Sequence, residues 1–265
     1  MVACYLLIPE AKMGRLTIPK KEYLRVAQYF HWAKAEHYRV WFNGEDERHG
    51  RTEKMLPRLV RAEKLKELQY GKKKVYAAPR LTQKKLQDYF FGDEEAMKKY
   101  GNQVALEVYK VEHGLACTEG LVRLWRSDTS GTVIPEKYFR SVKLGTSGVP
   151  EWGIIYPKGS ILLYEHCTED NFYRPGNVKK KVDRYREKFD QYEHHFNMKP
   201  IFLFVLDVPR IVVERFVSSI LPAGDQFFFT DYEHFLKSPI GKQLDAPIYI
   251  WGEDGKEYPL RRRDA

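Results

Sequence analysis

The chain has 265 residues, 43% hydrophobic and 14% aromatic, which supplies apolar material for one large core or two smaller ones and excludes a disordered chain. No apolar run approaches the ~20 residues a membrane-spanning helix needs, and Met1 to Ile8 is interrupted by Pro9 and Glu10 before it resembles a secretory leader, so a cytoplasmic protein without membrane partners is expected. The formal net charge of +9 is confined to one part: residues 1–110 carry 23 Lys/Arg against 14 Asp/Glu, while residues 111–265 carry 22 of each, so a basic module joins a neutral one.

In the basic module, Tyr23, Leu24, Ala27 and Phe30 give an apolar side to a helix over Lys20 to Ala33, with Pro19 just ahead of it. Residues 38–50 read as extended chain and turn, because Tyr38, Val40 and Phe42 alternate before Asn43-Gly44. A second helix follows, with Thr52 as its cap. Along it Arg51, Lys54, Arg58, Arg61 and Lys64 recur at spacings of 3, 4, 3 and 3, which lays them along one side and leaves Met55, Leu56, Leu59 and Val60 elsewhere. Pro57 predicts a bend or a later start, since proline removes one backbone hydrogen bond and crowds the preceding turn. Leu65 to Ala77 is two strand-like runs around Gly71-Lys72-Lys73-Lys74, a basic hairpin. Helix, basic helix and basic hairpin make a winged helix-turn-helix over residues 1–80, in which the helix enters the major groove and Lys72, Lys73 and Lys74 lie on phosphates. Double-stranded DNA is the expected partner. Residues 81–100 read as a connecting helix.

Over residues 101–265 the pattern predicts a helix at 103–125, strands at Tyr138 to Leu144, Trp152 to Tyr156, Ser160 to Tyr164 and Ile201 to Asp207, and a long helix from Asn177 to Phe196. Helix, antiparallel strands, helix and strand imply an α/β domain with a mixed sheet. Carboxylates stand at its junctions: Glu119 in the first helix, Glu151 after Pro150 at a strand entrance, and Glu165 at the end of the next strand. Lys179, Lys180 and Lys181 open the helix that follows.

Pro150-Glu151 followed by Ile161-Leu162-Leu163-Tyr164-Glu165-His166-Cys167-Thr168 resembles the core of the PD-(D/E)xK, restriction-endonuclease-like nucleases. The whole arrangement is similar to the replication-relaxation family of plasmid and conjugative-element proteins, which pairs a winged helix with such a domain. The segment Glu112-His113-Gly114-Leu115-Ala116-Cys117-Thr118, the helix with Lys180 or Lys181 and Tyr185, the apolar strand around Phe202 to Asp207, and Trp251-Gly252 carry that likeness. The resemblance implies a sequence-specific DNA-binding protein of a mobile element, acting at an origin of replication or conjugative transfer. A separate relaxase or replication protein is then a partner, and an oligomer is compatible with the reading. If the second domain cuts, the resemblance implies Mg²⁺ or Mn²⁺ held by Glu151 and Glu165 with Glu119, and Lys180 or Lys181 beside the scissile phosphate. Two departures weigh against cutting: Glu151 replaces the usual Asp, and Cys167 stands where nucleases carry Lys. The alternatives are an active metal-dependent nickase, a winged-helix transcriptional regulator, and an RNA-binding or protein-binding module.

Other chemistries find no pattern. Cys4, Cys117 and Cys167 are odd in number and widely spaced, which predicts neither a disulfide framework nor a structural zinc site. No His-apolar-His pair and no phosphate-binding glycine loop occur. His194 and His195 are adjacent on a helix and expected at the surface, and Tyr185 is the tyrosine to test first as a nucleophile.

Overall fold

A computed structural model describes residues 20–43, 49–78, 108–142, 144, 149–157, 159–174, 176–220, 226–240, 249–251 and 257–259. The helix expected over 81–100 and Cys4 lie outside the described residues. The N-terminal elements are α1 (Lys20–Tyr29), β1 (Ala33–Lys34), α2 (Ala35–Asn43), α3 (His49–Arg61), β2 (Lys66–Tyr70) and β3 (Lys73–Ala77). The three strands form an antiparallel sheet in the order β1-β3-β2. The hairpin turns at Gly71, whose φ of 58° lies in the left-handed region that glycine adopts without a Cβ clash.

Helix α2 corrects the expectation of extended chain over 38–50. Tyr38, Val40 and Phe42 satisfy a strand's alternation, but the buried set His37, Tyr38, Val40 and Trp41 has helical spacing. Trp41 decides the matter by stacking on Trp125, with ring centroids 3.9 Å apart and planes 6° from parallel. Tertiary packing thus overrides a local β preference. Thr52 as a cap and a later start for α3 are corrected as well. It starts at His49, ahead of Thr52, and runs through Pro57 to Arg61. Thr52 is therefore inside the helix, where its hydroxyl meets Tyr23 Oη at 3.2 Å and ties α3 to α1. The carbonyl that Pro57 leaves without its helical donor belongs to exposed Glu53.

The remainder is α4 (Val108–Ser127), β4 (Thr132–Pro135), α5 (Glu136–Ser141), β5 (Trp152–Tyr156), β6 (Ser160–Cys167), α6 (Glu169–Tyr173), α7 (Asn177–Glu187), α8 (Phe189–Phe196), β7 (Pro200–Leu206), α9 (Arg210–Ile220), β8 (Phe227–Asp231), α10 (Tyr232–Lys237), β9 (Tyr249–Trp251) and β10 (Glu257–Pro259). The architecture is α/β with a mixed sheet ordered β10-β9-β8-β7-β6-β5-β4, in which β6, β7 and β8 are parallel and the other pairings antiparallel. Strands β4 to β8 form its body.

The strand expected at Tyr138 to Leu144 is instead α5, and the strand of that region is β4. Pro135, with φ −76°, leads into the helix, Glu136 and Arg140 pair one turn apart, and Phe139 supplies a buried face. The long helix expected from Asn177 to Phe196 breaks at Lys188 (φ −109°, ψ 5°). The break lets Tyr185 and Tyr192, from successive helices, both pack on Phe202, at 4.7 and 5.6 Å between ring centroids.

Alternation along β6 divides the core. Leu162 and Tyr164 face α4 and α10, where they join Leu121, Trp125 and Phe235. Ile161, Leu163 and Cys167 face α7 and α9, with Val178, Val182, Tyr185 and Val213. The first of these clusters continues through Trp41 into Tyr23, Phe30, Tyr38 and Leu56, so the basic module and the α/β body share one hydrophobic core.

Gly120 of α4 makes that joint tight. A Cβ there would lie 2.5 Å from Tyr164 Oη and 2.6 Å from its Cζ. The ring cannot retreat, because Tyr164 is fully buried and stacked on Trp152 with centroids 4.1 Å apart. Gly120→Ala gains about 1 kcal/mol of helix propensity, yet overpacking a rigid core costs about 1–3 kcal/mol. Urea denaturation should find the variant less stable than wild type; equal or higher stability would show that the Tyr164–Trp152 stack yields.

Candidate functional site

Two regions gather the residues singled out by sequence. The first is α3 with its hairpin. Thr52, Leu56 and Leu59, spaced 4 and 3, are buried, while Lys54, Arg58 and Arg61, also spaced 4 and 3, are exposed on the opposite side. Among the described residues none of these three cations has a carboxylate partner. Lys64 is exposed just beyond the helix, as are Lys72, Lys73 and Lys74 at the hairpin tip. Lys74 is held by Glu67 across the hairpin at 2.7 Å, which leaves Lys72 and Lys73 as the free cations of the hairpin tip among the described residues. The side chain of Arg51 lies outside the described set.

The second region is one end of the large sheet, where the pairing register sets the geometry. Trp152 opposes Tyr164 on β6 and Pro135 on β4. The β4–β5 ladder continues one residue further, with Glu136 N–H donating to the Glu151 carbonyl at 3.1 Å, whereas on the β6 side Glu151 N–H donates to the carbonyl of Tyr164, the partner of Trp152, at 2.9 Å, so the pairing slips by one residue there as at a β-bulge. Glu136, Glu151 and Glu165 therefore gather where β4, β5 and β6 meet, towards the carboxyl end of the parallel strand β6, with Glu151 and Glu165 turned to opposite faces of the sheet. That is where open α/β sheets place their sites.

Glu165 points to the α7 side, where its side chain is 2% exposed. Lys181 Nζ donates to Oε2 at 2.6 Å and Tyr185 Oη donates to Oε1, so both carboxylate oxygens are engaged. Burial raises the Glu165 pKa, and the neighbouring Glu151 charge adds to that against the pull of Lys181 and Tyr185. Burial opposes the Lys181 charge, but Glu165 and Glu151 outweigh it and hold the ammonium protonated. The lysine that reaches the site is thus Lys181; Lys180, one residue earlier on α7, is exposed.

Glu151 lies on the α4 side. Burial raises its pKa, but His113, whose Nε2 is 2.9 Å from Oε1, together with His31 and Lys181, brings it well below the ordinary carboxylate range. His113 shifts the other way: burial lowers its pKa, and the Glu151 charge more than reverses that. Cys117, one turn along α4 from His113, approaches the same Nε2 at 3.5 Å. Because one ring nitrogen faces both thiol and carboxylate, His113 does not relay a proton between them. Burial also pushes the Cys117 thiol far up, which leaves it inert.

Glu119 stands apart from this group. His37 of α2 accepts the Lys34 N–H at Nδ1 (3.3 Å) and so donates from Nε2 to Glu119 Oε2 at 2.9 Å, while Arg123 Nε donates to Oε1 at 2.6 Å. Burial opposes its ionisation, yet these two partners bring its pKa to about 2. Glu119 is a structural tie between α2 and α4. Tyr185 is buried and donates to Glu165; burial first, and then that carboxylate, push its phenol well above the ordinary value, which is the wrong direction for a nucleophile. Cys167 is buried on α7's side with its thiol pushed up to about 12. His194 and His195 are exposed, as expected.

A divalent ion shared by Glu151 and Glu165 would have to displace Lys181 or Tyr185, which occupy both oxygens of Glu165. The pair does not fit that role as it stands, because Glu165 has no oxygen left for an ion and lies on the other face of the sheet from Glu151. Sequence reasoning missed His31 and His113. The i, i+4 pair His113 and Cys117, both on one helix face, was the available signal; nothing local marks His31 as a neighbour of Glu151. No family model, curated protein or solved structure matches the chain.

Proposed function

We propose that this chain is a duplex-DNA-binding protein of a mobile element, acting at an origin of replication or transfer, whose nuclease-like second domain carries an ion-paired carboxylate group instead of a cutting centre. In this reading residues 20–78 are a winged helix-turn-helix, with α2 and α3 as its two helices, α3 in the major groove, and β2 and β3 as the wing. The observation that carries it is the exposed row Lys54, Arg58 and Arg61 on the face of α3 opposite its buried residues, with Lys72 and Lys73 at the neighbouring hairpin tip. The order α1-β1-α2-α3-β2-β3 and the β1-β3-β2 sheet support it, and helix α2 supplies a first helix that the sequence pattern had hidden. Cleavage at the origin is then the work of a separate relaxase or replication protein.

The test is binding of the full chain to duplex DNA from its own element across a salt series. Lys72→Ala with Lys73→Ala should weaken all sequences alike and lower the slope of log affinity against log salt by ~0.9 per lost phosphate contact. Arg58→Ala should cost about 1–3 kcal/mol at the preferred site and relax its sequence preference. Unchanged binding in both variants would overturn the assignment.

A second reading, a metal-dependent nickase, is favoured by one observation: Glu151 and Glu165 adjoin the paired Trp152 and Tyr164 of β5 and β6, and Lys181 is ion-paired with Glu165. Nicking of the same DNA by wild type with Mg²⁺ or Mn²⁺, lost in Glu165→Gln at unchanged DNA affinity, would establish it in place of the first.

A further inference from the structure

Glu136 and Glu151 each have one carboxylate oxygen engaged and the other turned toward the same imidazole nitrogen. Arg140 Nε donates to Glu136 Oε1 at 2.7 Å, and His113 Nε2 meets Glu151 Oε1 at 2.9 Å. The remaining oxygens, Glu136 Oε2 and Glu151 Oε2, are each 3.8 Å from His31 Nε2. That distance is too long for a hydrogen bond. The only polar atom closer to this nitrogen among the described contacts is the Glu151 carbonyl, at the outer limit of 3.5 Å. The three donor atoms all lie within 4.8 Å of one another. Ligands bound at ~2.0–2.2 Å around a four- to six-coordinate ion stand roughly 3.0–3.5 Å apart, so each 3.8 Å separation has only to shorten by a few tenths of an ångström, and rotation of the side chains closes the rest.

We propose that His31 Nε2, Glu136 Oε2 and Glu151 Oε2 bind a divalent transition-metal ion of the Mn²⁺, Fe²⁺ or Zn²⁺ class. One imidazole and two carboxylates suit such an ion better than Mg²⁺, which prefers oxygen alone. Arg140 and His113 hold the other oxygens of the two carboxylates from behind, as outer-shell partners do, and leave Glu136 Oε2 and Glu151 Oε2 to face the ion. His31, Glu136 and Glu151 are 26%, 21% and 12% exposed, so the ion has an entry path and keeps water ligands. The neighbouring group His113, Cys117 and Glu151 is the weaker host: its thiol is fully buried and far from ionising, and its imidazole is already spent on Glu151.

The site joins two modules. His31 belongs to the loop between α1 and β1 of the basic module, and Glu136 and Glu151 belong to the α/β body. An ion there holds the body against the module that carries α3. The inference does not depend on DNA binding and stands or falls separately from it.

The experiment titrates the full chain, stripped with chelator, with Mn²⁺ and with Zn²⁺ by calorimetry, and with Co²⁺ by absorption. Wild type should take up one ion per chain, with higher thermal stability in its presence and no thiolate-to-metal charge-transfer band. His31→Gln and Glu136→Gln should each weaken binding at least tenfold while keeping the metal-free thermal midpoint. Two lightly buried positions are used so that one misfolded variant leaves the other to decide. Glu165→Gln and Cys117→Ser should bind as wild type does, which separates this site from a nuclease-type carboxylate pair and from the thiol group. No uptake by wild type, or wild-type affinity in both His31→Gln and Glu136→Gln, would overturn the proposal.

Discussion

Lys181→Met should lose on the order of 3 kcal/mol of folding stability at neutral pH, and adding Glu165→Gln should recover most of it. The ammonium lies 2.6 Å from a carboxylate whose side chain is 2% exposed. Removing one partner of a buried pair leaves the other charge uncompensated, which costs about 3–5 kcal/mol, whereas removing both charges is often neutral. The lower end applies because Lys181 is itself 25% exposed, and water already screens part of the interaction. The loss should also depend on pH. Without Lys181 the Glu165 pKa rises further above its unfolded value, so the folded chain holds that proton more tightly, and the variant's deficit shrinks as the solution is acidified. Urea denaturation at about pH 7 and about pH 5 measures both effects. A Lys181→Met chain as stable as wild type at neutral pH would mean that the pair is solvated and that the site is more open than its geometry implies.

Acid lability should be the second large effect, with His166 as a main cause. Its side chain is buried on the α4 face of β6, with ring centroids 5.6 Å from His113 and 5.0 Å from Tyr232, and its Nδ1 has no hydrogen-bond partner among the described residues. Burial lowers its pKa to about 3, and the positive charge of His113 contributes in the same direction. The unfolded chain therefore binds a proton that the folded chain refuses between about pH 6.5 and about pH 3. Stability is full above that window and is lost on descending through it, at about 1.4 kcal/mol per pH unit and on the order of 5 kcal/mol in all. Below the ordinary carboxylate range Glu151 adds to the loss, because its depressed pKa contributes stability only while it is ionised in both states. On the alkaline side His113 works the other way: its raised pKa contributes stability that disappears as pH rises above about 6.5. His166→Phe, which keeps a planar ring and removes the titration, should flatten the decline between about pH 6.5 and pH 4.5. A variant that falls as steeply as wild type would place the acid-sensitive group elsewhere.

Local pattern made much of this chain legible. The hairpin around Gly71, the opposed faces of α3, and strands β5, β6 and β7 are elements whose periodicity is set by neighbours close in sequence, and the α/β class with a mixed sheet follows from their order. It failed where residues fit two periods. Tyr38, Val40 and Phe42 alternate like a strand, as do Tyr138, Arg140 and Val142, yet Trp41 in the first case and Phe139 in the second found a buried partner only on a helix.

The sequence by itself determined the charge asymmetry, the chemistry of α3 and its hairpin, and the presence of acids at the entrance of β5 and the end of β6. Tertiary structure alone decided what those acids meet. The β4–β5 register set Glu136 beside Glu151, the one-residue slip of β5 against β6 turned Glu151 to the α4 face and left Glu165 on the α7 face, the position of Lys181 on α7 selected it over Lys180, and His37 with Arg123 drew Glu119 away. His31 came to Glu151 from 120 residues away through the shared core of the two modules. A side chain's ionic partners depend on distances between elements, which packing fixes only after each element has formed, so no periodicity within an element could have named them.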